Sequence, residues 1–349
     1  MSINNFKICT YAIIFLSLLT GCTHQSAKAK TVNLAIWGNY LAPNEAKKFE
    51  KETGIQLNIS NYSSNEELLA KVQAGAGGID VAVPSDYMVA IMIKLGLLHK
   101  IGKKLIPNSK HLDPAVLHQP YDPTNEYSLP YAWSTAGIAV NRELYKGKIR
   151  GWHDVFNNPK LAGKFSLLDD VREVMAVALK YNGYSVNSTN PAHLKKAEAT
   201  LEHIMPQVKM FRSDAVDVLL SKEVAVAHAF STDALIAASH NPHIQFILPS
   251  EGGTQSIDNL VILKNARHVW AARKLINFML SKSVNLSFVE HEWGRPVVLG
   301  VRKLLPKNMQ DNPALFPKPA ALKKFQSIRD LGPKATQMYD DIWTRIKSD

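Results

Sequence analysis

The feature that most constrains the fold is a regular alternation of strand-like and helix-like segments from residue 32 onward. Residues 32–37 form a continuous apolar run that is typical of a buried strand. Residues 43–53 then have a proline at a helix start, with Gly54 as the stop. Residues 55–59 alternate apolar and polar side chains, as a second strand would. This order predicts a layered α/β architecture, in which helices cover the sheets.

The length of the chain predicts two lobes. Its 349 residues exceed the size at which one hydrophobic core usually suffices. The only two cysteines, Cys9 and Cys22, precede the first predicted strand, so the folded part should contain no disulfide. The net charge of +11 is dispersed along the chain. Such a distribution suits an anionic membrane surface better than a nucleic-acid groove, and no nucleic-acid partner is expected.

The N-terminal segment has the pattern of a bacterial lipoprotein signal. Lys7 precedes an apolar run over 11–19, which is shorter than the ~20 residues of a membrane-spanning helix. Two small residues then lead to Cys22, whose thiol can accept a diacylglycerol. We expect a signal peptide over 1–21, then the lipidated Cys22 and a tether over 22–31, so that the protein is anchored to a membrane on its extracytoplasmic or periplasmic side. An ordinary secretory signal or a buried apolar segment is the alternative.

Several aromatic and acidic residues follow predicted strands, where open α/β sheets bind their ligands. The loop Trp37-Gly38-Asn39-Tyr40 follows the first strand, and Ser85-Asp86-Tyr87 follows an apolar run over 79–83. Five acids occupy such positions: Asp86, Asp170, Glu173, Asp233 and Asp258. Each position also has a purely structural interpretation. The aromatic rings could cover the core, and the acids at 170 and 173 could form a capping box at a helix start.

Signals of catalysis are weak. His240 and His243 are separated by Asn-Pro and lack further ligands at metal-binding spacing. The glycine-rich segment 74–78 precedes a strand, whereas a phosphate-binding loop follows one. Ser85 has no obvious histidine partner, and no Gly-x-Ser-x-Gly motif is present. The sequence therefore predicts no catalytic residue, no metal and no cofactor. A lipid-anchored hydrolase would need a nucleophile that the sequence does not reveal.

Four motifs resemble those of the spermidine/putrescine-binding proteins of polyamine ABC importers. They are Trp37-Gly-Asn-Tyr40, Asp80-Val-Ala-Val-Pro-Ser-Asp-Tyr87, Leu168-Asp-Asp-Val-Arg-Glu173, and Glu251-Gly-Gly253 with Asp258. Matching spacing extends from about residue 32 to the C-terminus. The resemblance implies a two-lobed periplasmic binding protein of the flytrap type, similar to type II, with a mixed sheet flanked by helices in each lobe.

The family fold implies that the chain crosses between the lobes and returns, near 131–135 and 258–263. Lobe 1 would then combine 32–132 with 258–301, and lobe 2 would combine 133–257 with 302–349. The function implied is capture of a polyamine between the lobes and delivery to a membrane permease that works with an ATPase subunit. The binding protein itself should be a monomer. The alternatives are an ω-amino or guanidino acid as ligand, or a polyamine sensor that acts on a signalling partner.

The resemblance also assigns roles to residues of the cleft. The walls would be aromatic, two polar side chains would contribute hydrogen bonds, and carboxylates would receive the amines. The residues are Trp37, Tyr40, Tyr87 and Phe230 as walls, Ser85 and Gln326 as polar contacts, and Asp170, Glu173 and Asp258 as carboxylates. This set suits a polyamine, because a buried ammonium needs an acceptor and aromatic faces attract cations while covering methylenes.

The chain departs from the spermidine-binding pattern at three positions of the cleft. Asn39 replaces a carboxylate, Ser256 replaces a tryptophan, and Arg295 replaces a tyrosine, while Asp233 is placed as in putrescine-selective members and Asp86 is an additional acid. The arginine has three possible roles. It could neutralise a cleft acid and so favour a dication, it could bind a carboxylate of the ligand, or it could point to solvent.

Overall fold

The computed structural model describes residues 30–38, 40–75 and 78–348, which contain twelve strands and twelve α-helices. The strands are β1 (Lys30–Trp37), β2 (Ile55–Tyr62), β3 (Val81–Ala82), β4 (Leu98–His99), β5 (Ser128–Asn141), β6 (Phe165–Leu167), β7 (Val208–Phe211), β8 (Val226–Phe230), β9 (Ile244–Ile247), β10 (Thr254–Leu263), β11 (Arg295–Pro296) and β12 (Gln326–Ser327). The helices are α1 (Glu45–Thr53), α2 (Asn65–Gln73), α3 (Asp86–Lys94), α4 (Trp152–Phe156), α5 (Val171–Tyr181), α6 (Pro191–Ile204), α7 (Ala215–Leu220), α8 (Ser231–His240), α9 (Val269–Met279), α10 (Lys282–Glu292), α11 (Lys307–Gln310) and α12 (Pro333–Ser348).

The strands form two mixed sheets that share the long strand β5. In the first sheet the order is β2-β1-β3-β10-β5, with β1 parallel to β2 and β3, and β10 antiparallel to β3 and β5. In the second sheet the order is β5-β8-β6-β7, with β9 also paired to β5. Parallel pairs beside antiparallel ones require crossover connections, and the helices supply them.

Two strands carry the chain between the sheets. Strand β5 pairs with β10 through Thr135 and with β8 from Ala136 onward, so the first crossing occurs within one strand. The return lies between β9 in the second sheet and β10, which pairs in the first sheet from Gln255. The chain therefore re-enters the first sheet slightly before the predicted return at 258–263.

Helices cover both faces of each sheet. In the first lobe, which is built on the first sheet, α1, α9 and α10 bury side chains such as Phe49 and Phe288 on one face, and α2 and α3 cover the other. In the second lobe α4, α5, α6 and α12 pack around Trp152, while α7 and α8 pack on the opposite face. The predicted two-lobed α/β fold is thus confirmed.

One segment packs differently from the sequence-based division of the lobes. Residues 302–349 were expected in lobe 2, but Leu305, Met309 and Leu315 are buried in the core of the first lobe. The chain joins the second core only later, where Tyr339, Ile342 and Ile346 of α12 are buried. Apolar side chains on both parts of the tail allow each part to cover a different lobe.

Local sequence signals account for the helix ends near the cleft. Helix α1 ends at Gly54, whose φ of 66° is the left-handed conformation that glycine adopts without strain. Helix α2 begins after Ser64, whose hydroxyl accepts a hydrogen bond from the Glu67 amide at 3.1 Å. The Glu67 carboxylate reaches back to the amide of Ser63. These bonds form a capping box in which the reciprocal bond is displaced by one residue.

Candidate functional site

A cavity of about 690 Å³ lies between the two lobes. The carboxyl ends of β1, β6 and β8 and the loop after β3 surround it, and the helices α3, α5 and α8 begin there. Strand β10 crosses the cavity wall and contributes Ser256 and Asp258. The cleft thus lies beyond the carboxyl ends of strands, where the sequence placed the candidate binding loops. Strand β10 adds residues from its interior.

Asp258 is the centre of a hydrogen-bonded group in the first lobe. Its Oδ1 accepts a hydrogen bond from the Ser85 hydroxyl at 2.7 Å, and its Oδ2 accepts one from the Tyr40 hydroxyl at 2.9 Å. Asn65 holds Ser85 through two hydrogen bonds of 3.1 Å. A bulge between Asp258 and Asn259 interrupts the pairing of β10 with β5 at this point. Burial raises the pKa of Asp258 to about 6.

Asp86 is a buried acid at the start of α3 with one oxygen that lacks a hydrogen bond from the described residues. It is 1% exposed, and its Oδ1 accepts a hydrogen bond from the amide of Tyr87 at the start of α3. Its Oδ2 is buried and makes no hydrogen bond with any described residue. Burial raises the pKa of Asp86 to about 7. A buried carboxylate oxygen without a donor is costly unless a cation binds it.

The second lobe contributes Asp170 and Glu173 from the start of α5. Asp170 caps this helix, since its Oδ1 accepts hydrogen bonds from the amides of Arg172 and Glu173 at 2.8 and 3.0 Å. Both Glu173 oxygens accept from the Thr254 hydroxyl, at 3.0 and 2.7 Å. Burial is the main cause that raises the pKa of Glu173 to about 8, followed by repulsion from Asp170. The structural and functional interpretations of Asp170 are compatible, because the capping residue also lines the cleft.

Asp233 and Phe230 complete the second-lobe side of the cleft. Phe230 ends β8, and Asp233 lies in the first turn of α8. Burial raises the pKa of Asp233 to about 7, with a smaller contribution from Asp214. Both residues line the cleft.

Aromatic rings form the first-lobe wall and are fixed by hydrogen bonds. The indole nitrogen of Trp37 donates to the Val83 carbonyl at 2.8 Å. The ring of Trp37 packs at 4.6 Å between centroids on Tyr62. The hydroxyl of Tyr87 donates to Glu66 at 3.0 Å. Rings held in this way offer apolar faces to methylenes and electron-rich faces to cations without losing much side-chain entropy.

The charges that line the cleft are strongly unbalanced. Eight lining residues are acidic and only Arg172 is basic. Three of the acids have lysine or arginine partners, namely Glu67, Asp169 and Asp214. None of the other five is paired with a lysine or arginine of the described chain, and they are the five predicted from the sequence: Asp86, Asp170, Glu173, Asp233 and Asp258. The cleft therefore has free capacity for cationic groups.

Two predicted residues lie outside the cleft. The guanidinium of Arg295 stacks 3.7 Å from the ring centroid of Trp133, in a small hollow on the other side of Ser134. Arg295 makes no ion pair within the described residues, so it neutralises no cleft acid. It is not among the residues that line the cleft. Its side chain is half-buried rather than solvated. Gln326 instead accepts a hydrogen bond from the Val186 amide at 3.0 Å and lines a hollow on the second lobe.

The remaining predicted residues either line the cleft or lie outside the described residues. Trp37, Tyr40, Tyr87, Phe230, Ser85 and Ser256 all line the cleft. The hydroxyl of Ser256 lies 3.0 Å from that of Ser134 on β5. Asn39 and Cys22 lie outside the described residues, and so do the predicted signal peptide and nearly all of the tether.

Sequence reasoning missed several residues that position the site. Thr254 holds Glu173, and Asn65 holds Ser85. Arg172 is 8% exposed and lies with its guanidinium carbon 5.7 Å from the Tyr87 ring centroid, across the cleft from its own lobe. Its position inside the Asp-Asp-Val-Arg-Glu motif was visible in the sequence. Its contact with the opposite lobe depends on tertiary structure.

Neither a cluster of metal-ligating side chains nor a membrane-spanning helix occurs among the described residues. No group of three or more histidine, cysteine, aspartate or glutamate residues there is arranged to hold a metal ion. No helix there combines the length and apolar character that crossing a bilayer requires.

Comparison with known proteins identifies the class that this fold and cleft define. The family model described as bacterial extracellular solute-binding protein matches residues 45–317. The chain belongs to this family, whose members act outside the cytoplasm and bind solutes.

Individual relatives of this chain include proteins named for spermidine and putrescine. The spermidine/putrescine-binding periplasmic protein of Escherichia coli (strain K12) is 35% identical over 315 residues, which is 89% of this chain and 90% of the relative. A putative spermidine/putrescine ABC transporter structure from Listeria monocytogenes has a TM-score of 0.86 and 34% identity, and the match covers 91% of this chain and 99% of that one. The Tp0655 (TpPotD) lipoprotein of Treponema pallidum has a TM-score of 0.82 and 31% identity, over 91% and 99%. These findings confirm the resemblance to polyamine-binding proteins of ABC transporters.

Proposed function

We propose that this protein captures a polyamine between its two lobes and delivers it to the permease of an ABC importer. The observation that carries the proposal is the set of five cleft acids without a lysine or arginine partner, beside fixed aromatic rings. A polyamine matches this arrangement because its ammonium groups need acceptors at intervals and its methylenes need apolar cover. The role is binding and release, and no catalytic step is part of it.

Closure of the lobes around the ligand would supply the signal that a permease recognises. Asp258 and Asp86 belong to the first lobe, while Asp170, Glu173 and Asp233 belong to the second. A ligand with two or more separated cations can bind acids of both lobes at once, and this favours the conformation in which they are close. An anion or a monocation cannot do the same.

The position of Arg295 weakens the alternative of an ω-amino or guanidino acid. That alternative used its guanidinium as the partner of a ligand carboxylate, and the guanidinium stacks on Trp133 instead. Arg172 is the basic residue of the cleft lining, and one of its nitrogens is occupied by the Arg329 carbonyl at 2.9 Å. An amine that carries a carboxylate therefore serves as a negative control for polyamine binding.

Isothermal titration of the purified protein, unfolded and refolded to remove carried-over ligand, tests the proposal. The ligands are putrescine, cadaverine, spermidine, spermine, agmatine and 4-aminobutyrate. We expect binding at about micromolar Kd or tighter for at least one amine without a carboxylate. Heat from 4-aminobutyrate alone, or from none of the ligands, would contradict the proposal.

We also propose that Cys22 is lipidated after removal of residues 1–21, and that the protein acts as an anchored monomer. The sequence Leu-Thr-Gly-Cys supports this, and the similar Treponema pallidum protein is described as a lipoprotein. Expression in a bacterial host with labelled fatty acid should give a labelled, membrane-associated protein. The Cys22→Ser variant should carry no label. Label in that variant, or none in the wild type, would contradict the assignment.

A further inference from the structure

The second lobe contains another cavity, of about 490 Å³, which shares no lining residue with the interlobe cleft. It lies between the end of α5, the start of α4 and the tail segment before β12. Its charged lining residues include Lys180, Lys323, Lys324 and Glu251. The volume is within the range of small-molecule sites, and the charge is opposite to that of the acidic cleft.

Lys180 is the feature of this hollow that fold stability does not explain. It is 8% exposed, and no hydrogen bond or ion pair joins its ammonium to any described residue. Burial lowers the pKa of Lys180, and repulsion from Lys324 adds to this effect. Nor does Lys180 cap its helix. Backbone amides occupy the carbonyls of Ala178, Leu179 and Lys180 itself. The side chain of Lys180 is thus largely buried, while its ammonium has no partner among the described residues and lines the hollow, where a ligand can supply an acceptor.

Other hydrogen-bond donors surround the same space. The side-chain oxygen of Gln326 is occupied by the Val186 amide, which leaves its NH₂ group available. Lys323 is exposed at the rim. The one acid, Glu251, is occupied by the His153 amide at 2.9 Å and the Ser250 hydroxyl at 3.1 Å. The hollow therefore offers several donors to an anion, while its carboxylate is already held in the wall.

Two tyrosines give the hollow an apolar, aromatic side. Tyr181 stacks on the His153 ring with 4.0 Å between centroids, and Tyr184 stacks on His193 at 3.8 Å. Stacking fixes both rings, as at sites that bind an organic group. The combination of a buried cation, rim lysines and fixed rings suits a ligand with a charged oxyanion at one end and an organic group at the other.

We propose that this hollow is a second ligand site, specific for a phosphate monoester, with the phosphoryl group on Lys180 and Lys323 and the organic group against Tyr181 and Tyr184. Two sources share this chemistry, a soluble phosphate ester and a phosphatidate head group at a membrane surface. The site does not depend on the polyamine proposal, since no residue of the cleft takes part in it.

Titration with AMP, adenosine and inorganic phosphate tests the soluble source, and co-sedimentation with phosphatidylcholine vesicles with and without phosphatidate tests the lipid source. The key variant is Lys180→Met, which keeps the length of the side chain and removes its charge. Lys195→Met on the exposed face of α6 is the matched control for net charge. Lys323→Glu reverses a charge at the rim, where folding is not at risk.

We expect AMP, phosphatidate vesicles or both to bind the wild-type protein, and adenosine to bind far more weakly than AMP. Lys180→Met should weaken the binding about tenfold or more, as loss of a charge-assisted hydrogen bond does. Lys323→Glu should weaken it also, and Lys195→Met by less than about twofold. The thermal midpoint of Lys180→Met should not fall, because a buried charge is replaced by an apolar side chain.

The two sources give different outcomes. Lys180-dependent binding of AMP identifies a soluble ester as the ligand, and Lys180-dependent binding of phosphatidate vesicles identifies the lipid. Absence of binding in both assays overturns the proposal. Binding that Lys180→Met and Lys323→Glu leave unchanged, or that Lys195→Met weakens equally, overturns it as well.

Discussion

The two sides of the cleft hold their principal carboxylates in different ways. In the first lobe, Asp258 accepts two hydroxyl hydrogen bonds, one on each oxygen, and its pKa is raised only to about 6. In the second lobe, both oxygens of Glu173 share the single hydroxyl of Thr254, a second acid lies nearby, and the pKa is raised to about 8. Burial therefore favours the protonated form of Glu173 more strongly than that of Asp258.

This difference predicts that Asp258 is ionised before the ligand binds and that Glu173 becomes ionised as it binds. The first lobe presents a formed carboxylate before the ligand arrives, because two donors compensate for its burial. Glu173 of the second lobe develops its charge when a cation enters and stabilises the ionised form of its carboxyl group. A ligand would thus be attracted by one lobe and would complete the acidic site of the other as the cleft closes.

The largest effect is expected when the formed charge is removed. Asp258→Asn should weaken binding of a diamine by more than about 1.5 kcal/mol, in line with the loss of a charge-assisted hydrogen bond. Calorimetric titration measures the change, and the thermal midpoint without ligand serves as the control for folding. Unchanged affinity would mean that the ligand does not bind at Asp258.

The pH dependence should be the next largest effect. Asp258, Asp86, Asp233 and Glu173 have raised pKa values of about 6, 7, 7 and 8, all caused mainly by burial. As the pH falls from 8 to 6, these acids take up protons that a bound cation must displace. Affinity for putrescine should therefore fall by about tenfold or more. Titrations at a series of pH values would contradict this if affinity were constant or rose at low pH.

Glu173→Gln should have a smaller effect than Asp258→Asn at pH 7. Ionising a group with a pKa one unit above the pH costs about 1.4 kcal/mol, which offsets much of its attraction to the ligand. We expect a loss of about 1 kcal/mol near pH 7 and a larger loss at pH 9. An effect at pH 7 that equals that of Asp258→Asn would show that the two lobes do not differ in this way.

Two substitutions of Asp170 distinguish its role as a helix cap from its role in ligand binding. Asn is as good a helix cap as Asp, whereas Ala is not. Asp170→Asn should therefore weaken amine binding and leave the free energy of unfolding nearly unchanged. Asp170→Ala should weaken binding and also lower the free energy of unfolding by about 1 kcal/mol. Chemical denaturation of the two variants measures the difference. Equal stability of both would contradict the capping role.

The smallest effect is expected at Arg295, which the family pattern placed in the cleft. Arg295→Met should retain apolar contact with Trp133 and change the affinity for putrescine and spermidine by less than about twofold. A marked shift in the ratio of the two affinities would show that the arginine acts on the cleft after all.

The sequence predicted those parts of the site that follow from local rules. The alternation of segments placed Trp37 and the residue 85–87 loop at strand ends, and the capping pattern placed Asp170 at a helix start. The sequence did not predict the bulge that accompanies Asp258, because a bulge depends on the partner strand. Gln326 and Arg295 were misplaced because one contact each, with Val186 and Trp133, turns the side chain away from the cleft.

The most direct test of the account is the number of protons exchanged when putrescine binds near pH 7. Calorimetry in two buffers with different enthalpies of ionisation measures it for the wild-type protein and for Glu173→Gln. The account predicts a net release of protons from the wild type, because the cation converts protonated cleft acids to carboxylates, and a smaller release from the variant. Binding with no proton release, or with proton uptake, would contradict the claim that these buried acids receive the cation.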